Sequence, residues 1–250
     1  MTATVYLVGA GPGAPDLLTL RAARLLQAAD IVFYDALVHA DTIALAARAE
    51  KVAVGKRYGK HSAAQLFINK RLVDAARKYK TVVRLKGGDP MLFGRAQEEI
   101  EALAEAGIAC VVVPGVTAAL AASADLGISL TRRGLSRSVA FATPRVGKEE
   151  QPSDWAASLI NADTGVLYMA AHEAQEIARQ LIARGKSADT PVMVVESASL
   201  QSTRHVSTLG SIARDGLPAI SGPAVLMMGE VYRAALEAAQ ARPLARSAAE

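Results

Sequence analysis

The chain has 250 residues, and 51% of them are hydrophobic, which is enough to bury a substantial core in one large domain or two small ones. The formal charge of +4 is compatible with a nucleic acid or a polyanionic small molecule, but aromatic residues make up only 4% and basic residues are scattered among acidic ones, which argues against a nucleic-acid surface. The lone Cys110 excludes a disulfide framework or a cysteine zinc site, and the absence of a leader or a long apolar stretch predicts a cytoplasmic protein without a membrane partner.

Strand and helix patterns alternate along the first half of the chain. In chain order, we predict strands at 5–8, 31–34, 52–54, 81–85 and 109–113, and helices at 17–29, 42–47, about 62–79 and 97–106. This alternation is typical of a parallel α/β sheet.

A helix of small residues at 117–126 leads into the second half. There the patterns predict strands at 139–143, 166–169, 192–196, 204–207 and 224–228, with helices near 155–160 and 173–183. We expect two α/β domains, 1–115 and 116–241, followed by a disordered tail at 242–250.

Three glycine-rich turns follow predicted strands of the first domain. They are Gly-Ala-Gly-Pro-Gly at 9–13, Gly-Gly-Asp-Pro at 87–90 and Pro-Gly-Val-Thr at 114–117. Glycine lets the backbone approach a ligand closely, and loops at the carboxyl ends of parallel strands line one crevice. The three turns are therefore expected to converge on one ligand, although the first turn taken alone fits a plain strand-to-helix connection equally well.

Two charged residues occupy corresponding places after other strands. Asp35 directly follows the strand at 31–34, which makes it a candidate acid or base, and Lys56 follows the strand at 52–54, where an ordinary surface lysine is an equally good interpretation. The four histidines have neither the spacing nor the carboxylate neighbours of a metal site, so we predict no metal.

Seven segments together resemble the tetrapyrrole methylase family, and within it the uroporphyrinogen-III C-methyltransferases. The matching segments are residues 8–13, 34–38, 54–57, 83–90, 93–95, 113–118 and 167–169. Their order and spacing agree over about residues 4–232. The resemblance implies a two-domain α/β tetrapyrrole methylase architecture with S-adenosylmethionine in the cleft between the domains, a homodimer, and two methylations that convert uroporphyrinogen III to precorrin-2 and release S-adenosylhomocysteine.

The resemblance also implies roles for particular residues. It implies a cofactor site made of Pro12, Gly87, Gly88, Asp89, Leu92, Thr117, Ala118, Met169, Ala198 and Ala224. It implies catalytic roles for Asp35, Lys56 and Arg95, and substrate-binding roles for Arg95, Glu98 and Arg133. The substrate carries eight carboxylates, which suits arginine side chains, and methylation of a ring carbon leaves positive charge that a carboxylate can stabilise.

The chain departs from close relatives at a few positions outside these segments. Relatives commonly have Gly-Gly where this chain has Ala96-Gln97, and Gly-His where it has Pro144-Arg145. These departures keep a non-catalytic tetrapyrrole-binding relative as an alternative. A later precorrin or cobalt-precorrin methyltransferase on the same fold also stays open, and the basic charge keeps open a nucleic-acid methyltransferase of the same superfamily. The product could feed siroheme or cobalamin biosynthesis.

Overall fold

A computed structural model describes residues 3–54, 61–146, 151 and 153–241, with residues 61–64 described by their backbone alone. The chain divides into two compact units, Met1–Ala118 and Ala119–Glu250. Each unit contains a five-stranded sheet, so the predicted α/β class is confirmed.

The sheet of the first unit is parallel throughout, with strand order β3-β2-β4-β1-β5. Its strands are β1 (Thr4–Gly9), β2 (Ile31–Tyr34), β3 (Glu50–Ala53), β4 (Thr81–Lys86) and β5 (Ala109–Val113). Its helices are α1 (Leu20–Ala28), α2 (Ala40–Ala44), α3 (His61–Ala76) and α4 (Ala96–Glu105).

Both faces of this sheet are buried. Phe33 and Leu7 belong to the apolar cluster that includes residues of α3 and α4, whereas their chain neighbours Val32 and Val8 pack with residues of α1 on the opposite face. Because successive side chains of a strand alternate between faces, two helical layers cover one sheet. All the strands run in the same direction, so the loops that follow them gather along one edge.

The second unit has a mixed sheet of order β6-β7-β10-β8-β9, in which only β6 and β7 pair in parallel. Its strands are β6 (Val139–Ala142), β7 (Thr164–Tyr168), β8 (Pro191–Glu196), β9 (Thr203–Thr208) and β10 (Ala224–Gly229). The remaining helices are α5 (Ala118–Leu126), α6 (Trp155–Asn161), α7 (Ala174–Ala183), α8 (Leu209–Asp215) and α9 (Arg233–Ala241). Its main core joins Leu159, Leu181 and Ile212 of three helices to one face of the sheet.

The structure corrects the start of one predicted helix and adds two helices that were not predicted. Helix α1 begins at Leu20 and not at residue 17, because Pro15–Leu17 forms a 3-10 turn and the Thr19 hydroxyl caps α1 by accepting the Ala22 N–H at 3.1 Å. Helices α8 and α9 were not predicted from the sequence. The predicted tail at 242–250 lies outside the described residues.

Candidate functional site

Four glycines from three turns of the first unit meet at the carboxyl edge of its sheet. The N–H of Gly11 donates to the carbonyl of Gly88 at 3.2 Å, and the N–H of Gly88 donates to the carbonyl of Gly11 at 2.7 Å. A Cβ added to Gly115 would lie 2.3 Å from the Gly88 oxygen, and one added to Gly9 would lie 2.5 Å from the Gly115 nitrogen. Only glycine allows these backbones to pack so closely.

Asp89 fastens two of these loops together. Its Oδ1 accepts the Met91 N–H at 2.8 Å, and its Oδ2 accepts the Gly115 N–H at 2.9 Å. The carboxylate, which was predicted to contact a cofactor, therefore holds the loop after β4 against the turn after β5. By contrast, a Cβ added to Gly88 would meet no atom within 4 Å, so open space lies beside this glycine, whose φ is +68°.

The loop continues in unusual backbone conformations into α4. Phe93 and Arg95 both have φ of +53°, in a region that side-chain-bearing residues seldom occupy. Arg95 donates through Nε and Nη2 to both carboxylate oxygens of Glu98, at 2.6 and 2.7 Å. The structure thus brings together two of the predicted substrate-binding residues as an exposed bidentate ion pair. Leu92 is tied to the same loop, because its N–H donates to the carbonyl of Asp89 at 3.3 Å.

Asp35 lies at the carboxyl end of β2, as its position after the strand predicts. It lines a cavity of about 220 Å³ together with Tyr34, Val38 and other residues that follow β2 and β3. Its N–H donates to the carbonyl of Leu85 at 3.4 Å, and its side chain is 29% exposed. Asp35 is therefore accessible from the cavity while its backbone is attached to β4. Lys56, the other candidate for proton transfer, lies outside the described residues.

Behind Asp35 lies a network of buried charges that the sequence reading missed. Nη2 of Arg84 donates to Oδ1 of Asp35 at 2.7 Å, and Nε of the same guanidinium donates to Oε1 of Glu99 at 3.0 Å. The Lys86 ammonium donates to both oxygens of Glu99 at 3.1 and 3.0 Å, and the Gln65 amide donates to Oε1 at 3.2 Å.

The strand pattern explains why these charges meet. Arg84 and Lys86 share the parity of Val82, so they point to the face of β4 that α3 and α4 cover, and Glu99 lies one turn before the buried Leu103 on α4. Burial, followed by the charge of Arg84, lowers the pKa of Lys86 below its ordinary value. Burial acts in the same direction on Arg84, but Glu99 and Asp35 outweigh it and raise the Arg84 pKa.

The predicted cofactor residues of the second unit lie at one edge of its sheet. Met169 follows the end of β7, and Ala198 follows the end of β8. Ala224 begins β10, which runs antiparallel to both, so all three lie at the same edge. Met169 has φ of +55°, and the flanking Ser197 and Ser199 also have positive φ. The structure therefore gathers these residues in a strained set of loops, a feature that often accompanies binding sites.

The remaining predicted positions lie at the start of α5 and in two turns. Thr117 and Ala118 directly precede Ala119, whose N–H donates to the Tyr168 hydroxyl at 3.2 Å. Arg133 is exposed in a tight turn closed by the reciprocal backbone hydrogen bonds of Arg132 and Ser136, at 2.9 and 2.8 Å. Pro12, of the first turn in the other unit, is followed by Gly13 with φ of +156°.

Within the described residues, no three His, Cys, Asp or Glu side chains form a group that could hold a metal ion. No helix in the described part of the chain has the length and apolar character that crossing a membrane requires.

Comparisons with known proteins agree with the motifs. The family model for tetrapyrrole (corrin/porphyrin) methylases matches residues 4–213. A uroporphyrinogen-III C-methyltransferase of Pseudomonas aeruginosa is 45% identical over 235 residues, which cover 93% of this chain and 96% of that protein. A siroheme synthase of Psychrobacter sp. (strain PRwf-1) is 46% identical, but the match covers 92% of this chain and only 48% of the synthase. The chain spans about half the length of the siroheme synthases it matches.

Solved structures give the same result. A uroporphyrin-III C-methyl transferase from Thermus thermophilus, complexed with S-adenosylhomocysteine, superimposes with a TM-score of 0.83 at 39% identity, covering 93% of this chain and 100% of that one. A cobalt precorrin-4 methyltransferase superimposes with a TM-score of 0.78 at 30% identity, covering 91% and 95%. The predicted tetrapyrrole methylase architecture is thus confirmed, and the chain belongs to the tetrapyrrole (corrin/porphyrin) methylase family.

Proposed function

We propose that the chain is an S-adenosylmethionine-dependent C-methyltransferase that converts uroporphyrinogen III to precorrin-2 by two methylations. The observation that carries the proposal is the near-complete match, over 96% of its length, to a Pseudomonas enzyme named for this activity. The glycine-rich edge and the Asp35 cavity of the first unit lie within residues 4–213, which the family model matches.

The residues present fit the cofactor. The backbone of Gly88 lies beside open space, and the Asp89 carboxylate fixes the loop by its hydrogen bond from Gly115. Polar groups of a ligand can therefore approach main-chain atoms of this loop directly. We propose domains 1–115 and 116–241, and cofactor contacts from Pro12, Gly87, Gly88, Asp89, Leu92, Thr117, Ala118, Met169, Ala198 and Ala224. When bound, S-adenosylmethionine supplies an activated methyl group, so the protein must chiefly orient the acceptor carbon.

Asp35 is proposed to act on the tetrapyrrole. Its carboxylate is partly exposed in the cavity, where it can stabilise positive charge on the methylated ring and accept the departing proton. Lys56 and Arg95 are proposed to assist catalysis. We also propose that Arg95, Glu98 and Arg133 bind the substrate; Arg95 and Arg133 are exposed and can form charge-assisted hydrogen bonds to its carboxylates.

The test is incubation of the purified protein with uroporphyrinogen III and S-adenosylmethionine, followed by identification of products by mass. A doubly methylated product supports the proposal, and no methylated product would refute it in favour of a non-catalytic relative. Methylation only of a later precorrin or cobalt-precorrin would favour the alternative that the similarity to cobalt precorrin-4 methyltransferase keeps open.

The matched variant is Asp35→Asn, which keeps size while removing charge and basicity. We expect a loss of turnover of about a hundredfold, the low end for a positioned acid or base, with unchanged affinity for S-adenosylhomocysteine. Wild-type turnover at saturating substrate would remove Asp35 from the chemistry.

We further propose a cytoplasmic homodimer that acts without nucleic acid or membrane. Light scattering tests the dimer, and turnover after nuclease treatment tests the independence from nucleic acid.

A further inference from the structure

Four alternating charges run inward from the candidate site. They begin at Asp35, continue through Arg84 and Glu99, and end at Lys86. The side chains of Arg84, Glu99 and Lys86 are 2%, 0% and 4% exposed, whereas that of Asp35 is 29% exposed and lines the cavity. Only the outermost member of the network can therefore meet a substrate.

Stability alone is a poor explanation for this network. Taking charges out of water is costly, and well-packed apolar residues of similar size often stabilise a core as well or better. Here the charges balance, two carboxylates against two cations, and the Glu99 carboxylate receives hydrogen bonds from Arg84, Lys86 and Gln65. The geometry around Glu99 fixes the Arg84 guanidinium, whose Nη1 also donates to the Leu85 carbonyl at 3.2 Å.

Arginine suits such a bridge because its guanidinium is a rigid planar fork. Nε points to Glu99 and Nη2 points to Asp35, so the position of one carboxylate sets the position of the other. Lysine at residue 84 would keep the charge but could not reproduce both directions.

We infer that Arg84 and Glu99 are positioning residues, which hold one oxygen of the Asp35 carboxylate and thereby fix this group at the wall of the cavity. Neither Arg84 nor Glu99 is among the residues that line the cavity. The inference rests on the proposed function, in which Asp35 acts on the substrate. It adds that Arg84 and Glu99 affect catalysis only through the position of Asp35.

The test is a double-mutant cycle in kcat with Arg84→Lys and Asp35→Asn. Arg84→Lys should lower kcat by at least about tenfold, because misplacement of a reacting group by about 1 Å can cost up to a hundredfold. If Arg84 acts through Asp35, adding Arg84→Lys to Asp35→Asn should cause less than about a threefold further loss, because residues that act as a unit are not additive. The KM for uroporphyrinogen III and the affinity for S-adenosylhomocysteine should change less than the kcat in every variant.

The control is Arg71→Lys, the same exchange on α3 of the same unit, where the guanidinium lies 5.7 Å from the ring centroids of Phe33 and Phe67. It should leave kcat unchanged. Urea unfolding of each variant shows whether it folds. If Arg84→Lys does not fold, Glu99→Gln replaces it in the cycle, because it keeps the shape of the side chain and removes the anchor of the guanidinium.

The outcomes separate the inference from the proposed function. Losses that multiply in the double variant, or wild-type kcat in both Arg84→Lys and Glu99→Gln, would overturn the inference while leaving the catalytic role of Asp35 intact. Wild-type turnover in Asp35→Asn, or no methyl transfer by the wild-type protein, would overturn the proposed role of Asp35 and the inference with it.

Discussion

Replacing Asp89 with alanine should disturb the fold of the first unit as well as its binding of a cofactor. The carboxylate accepts two backbone hydrogen bonds, from Met91 and Gly115, at 2.8 and 2.9 Å. A hydrogen bond to a charged group contributes about 1.5–3 kcal/mol, and an exposed one contributes less. Since the bond to Gly115 is partly buried and the bond to Met91 is exposed, we expect Asp89→Ala to lower the free energy of unfolding by about 2 kcal/mol.

The assay is urea unfolding of the ligand-free protein, together with calorimetric titration of S-adenosylhomocysteine. We expect both the unfolding free energy and the affinity to fall, because the loop that carries Gly88 loses its tie to the turn after β5. Asp89→Asn keeps one acceptor oxygen, so its loss of stability should be smaller. The control is Asp74→Ala on α3, which removes an exposed carboxylate 3.8 Å from Arg77 and should change stability by less than about 0.5 kcal/mol.

If Asp89→Ala weakened the affinity while unfolding in urea matched the wild type, the carboxylate would act by touching the ligand and not by holding the loops. Unchanged stability and unchanged affinity together would refute both roles.

Three further variants test other parts of the structure. Gly115→Ala should destabilise the first unit by about 3 kcal/mol, the upper end for overpacking, because its Cβ would lie 2.3 Å from the Gly88 oxygen; a wild-type melting curve would contradict the close contact. Lys186→Met should cost about 1.5–3 kcal/mol in urea unfolding, because the ammonium donates to three carbonyls at the end of α6; no loss would mean that water replaces it. Hydrogen bonds from residues 137 and 138 lower the pKa of Asp163, so the folded state releases this proton more readily than the unfolded state. The stability advantage over Asp163→Asn should be complete above the ordinary pKa of 3.8 and disappear as the pH falls through the lowered value; a difference independent of pH would contradict this.

The strands and the glycine-rich loops could be predicted because their signals are local. The pattern at residues 81–85 predicts a buried strand, and Gly87-Gly88 predicts its end. The structure has β4 at Thr81–Lys86, followed by the loop. Helix α8 was missed although it has a capping residue, Thr208, whose hydroxyl accepts the Ser211 N–H at 3.1 Å. A short helix that directly follows a strand is a weak signal, and this helix is stabilised by the packing of Leu209 and Ile212 in the core of the second unit.

The buried charges could not be paired from the sequence. Arg84 and Lys86 read as basic residues at the end of a strand, where solvent exposure is the usual outcome, and Glu99 reads as one of several acidic residues in α4. A useful signal was present in their parity: both cations share a face with Val82, and Glu99 lies four residues before Leu103 on the apolar face of its helix. Parity places a side chain on a face, but the choice of Glu99 as a partner depends on how α4 packs on the sheet.

Strand β4 supports both halves of the first unit's candidate site. Its alternation sends Arg84 and Lys86 toward α3 and α4, where they form the network that reaches Asp35, while the chain beyond Lys86 turns into the Gly87-Gly88 loop. The carbonyl of Leu85, between the two cations, accepts the N–H of Asp35. A slip of one residue in this strand would turn the cations to the opposite face, and the Asp35 carboxylate would lose its partner as the glycine loop moved. The spacing of Arg-Leu-Lys-Gly-Gly therefore couples the position of the candidate catalytic carboxylate to that of the candidate cofactor loop.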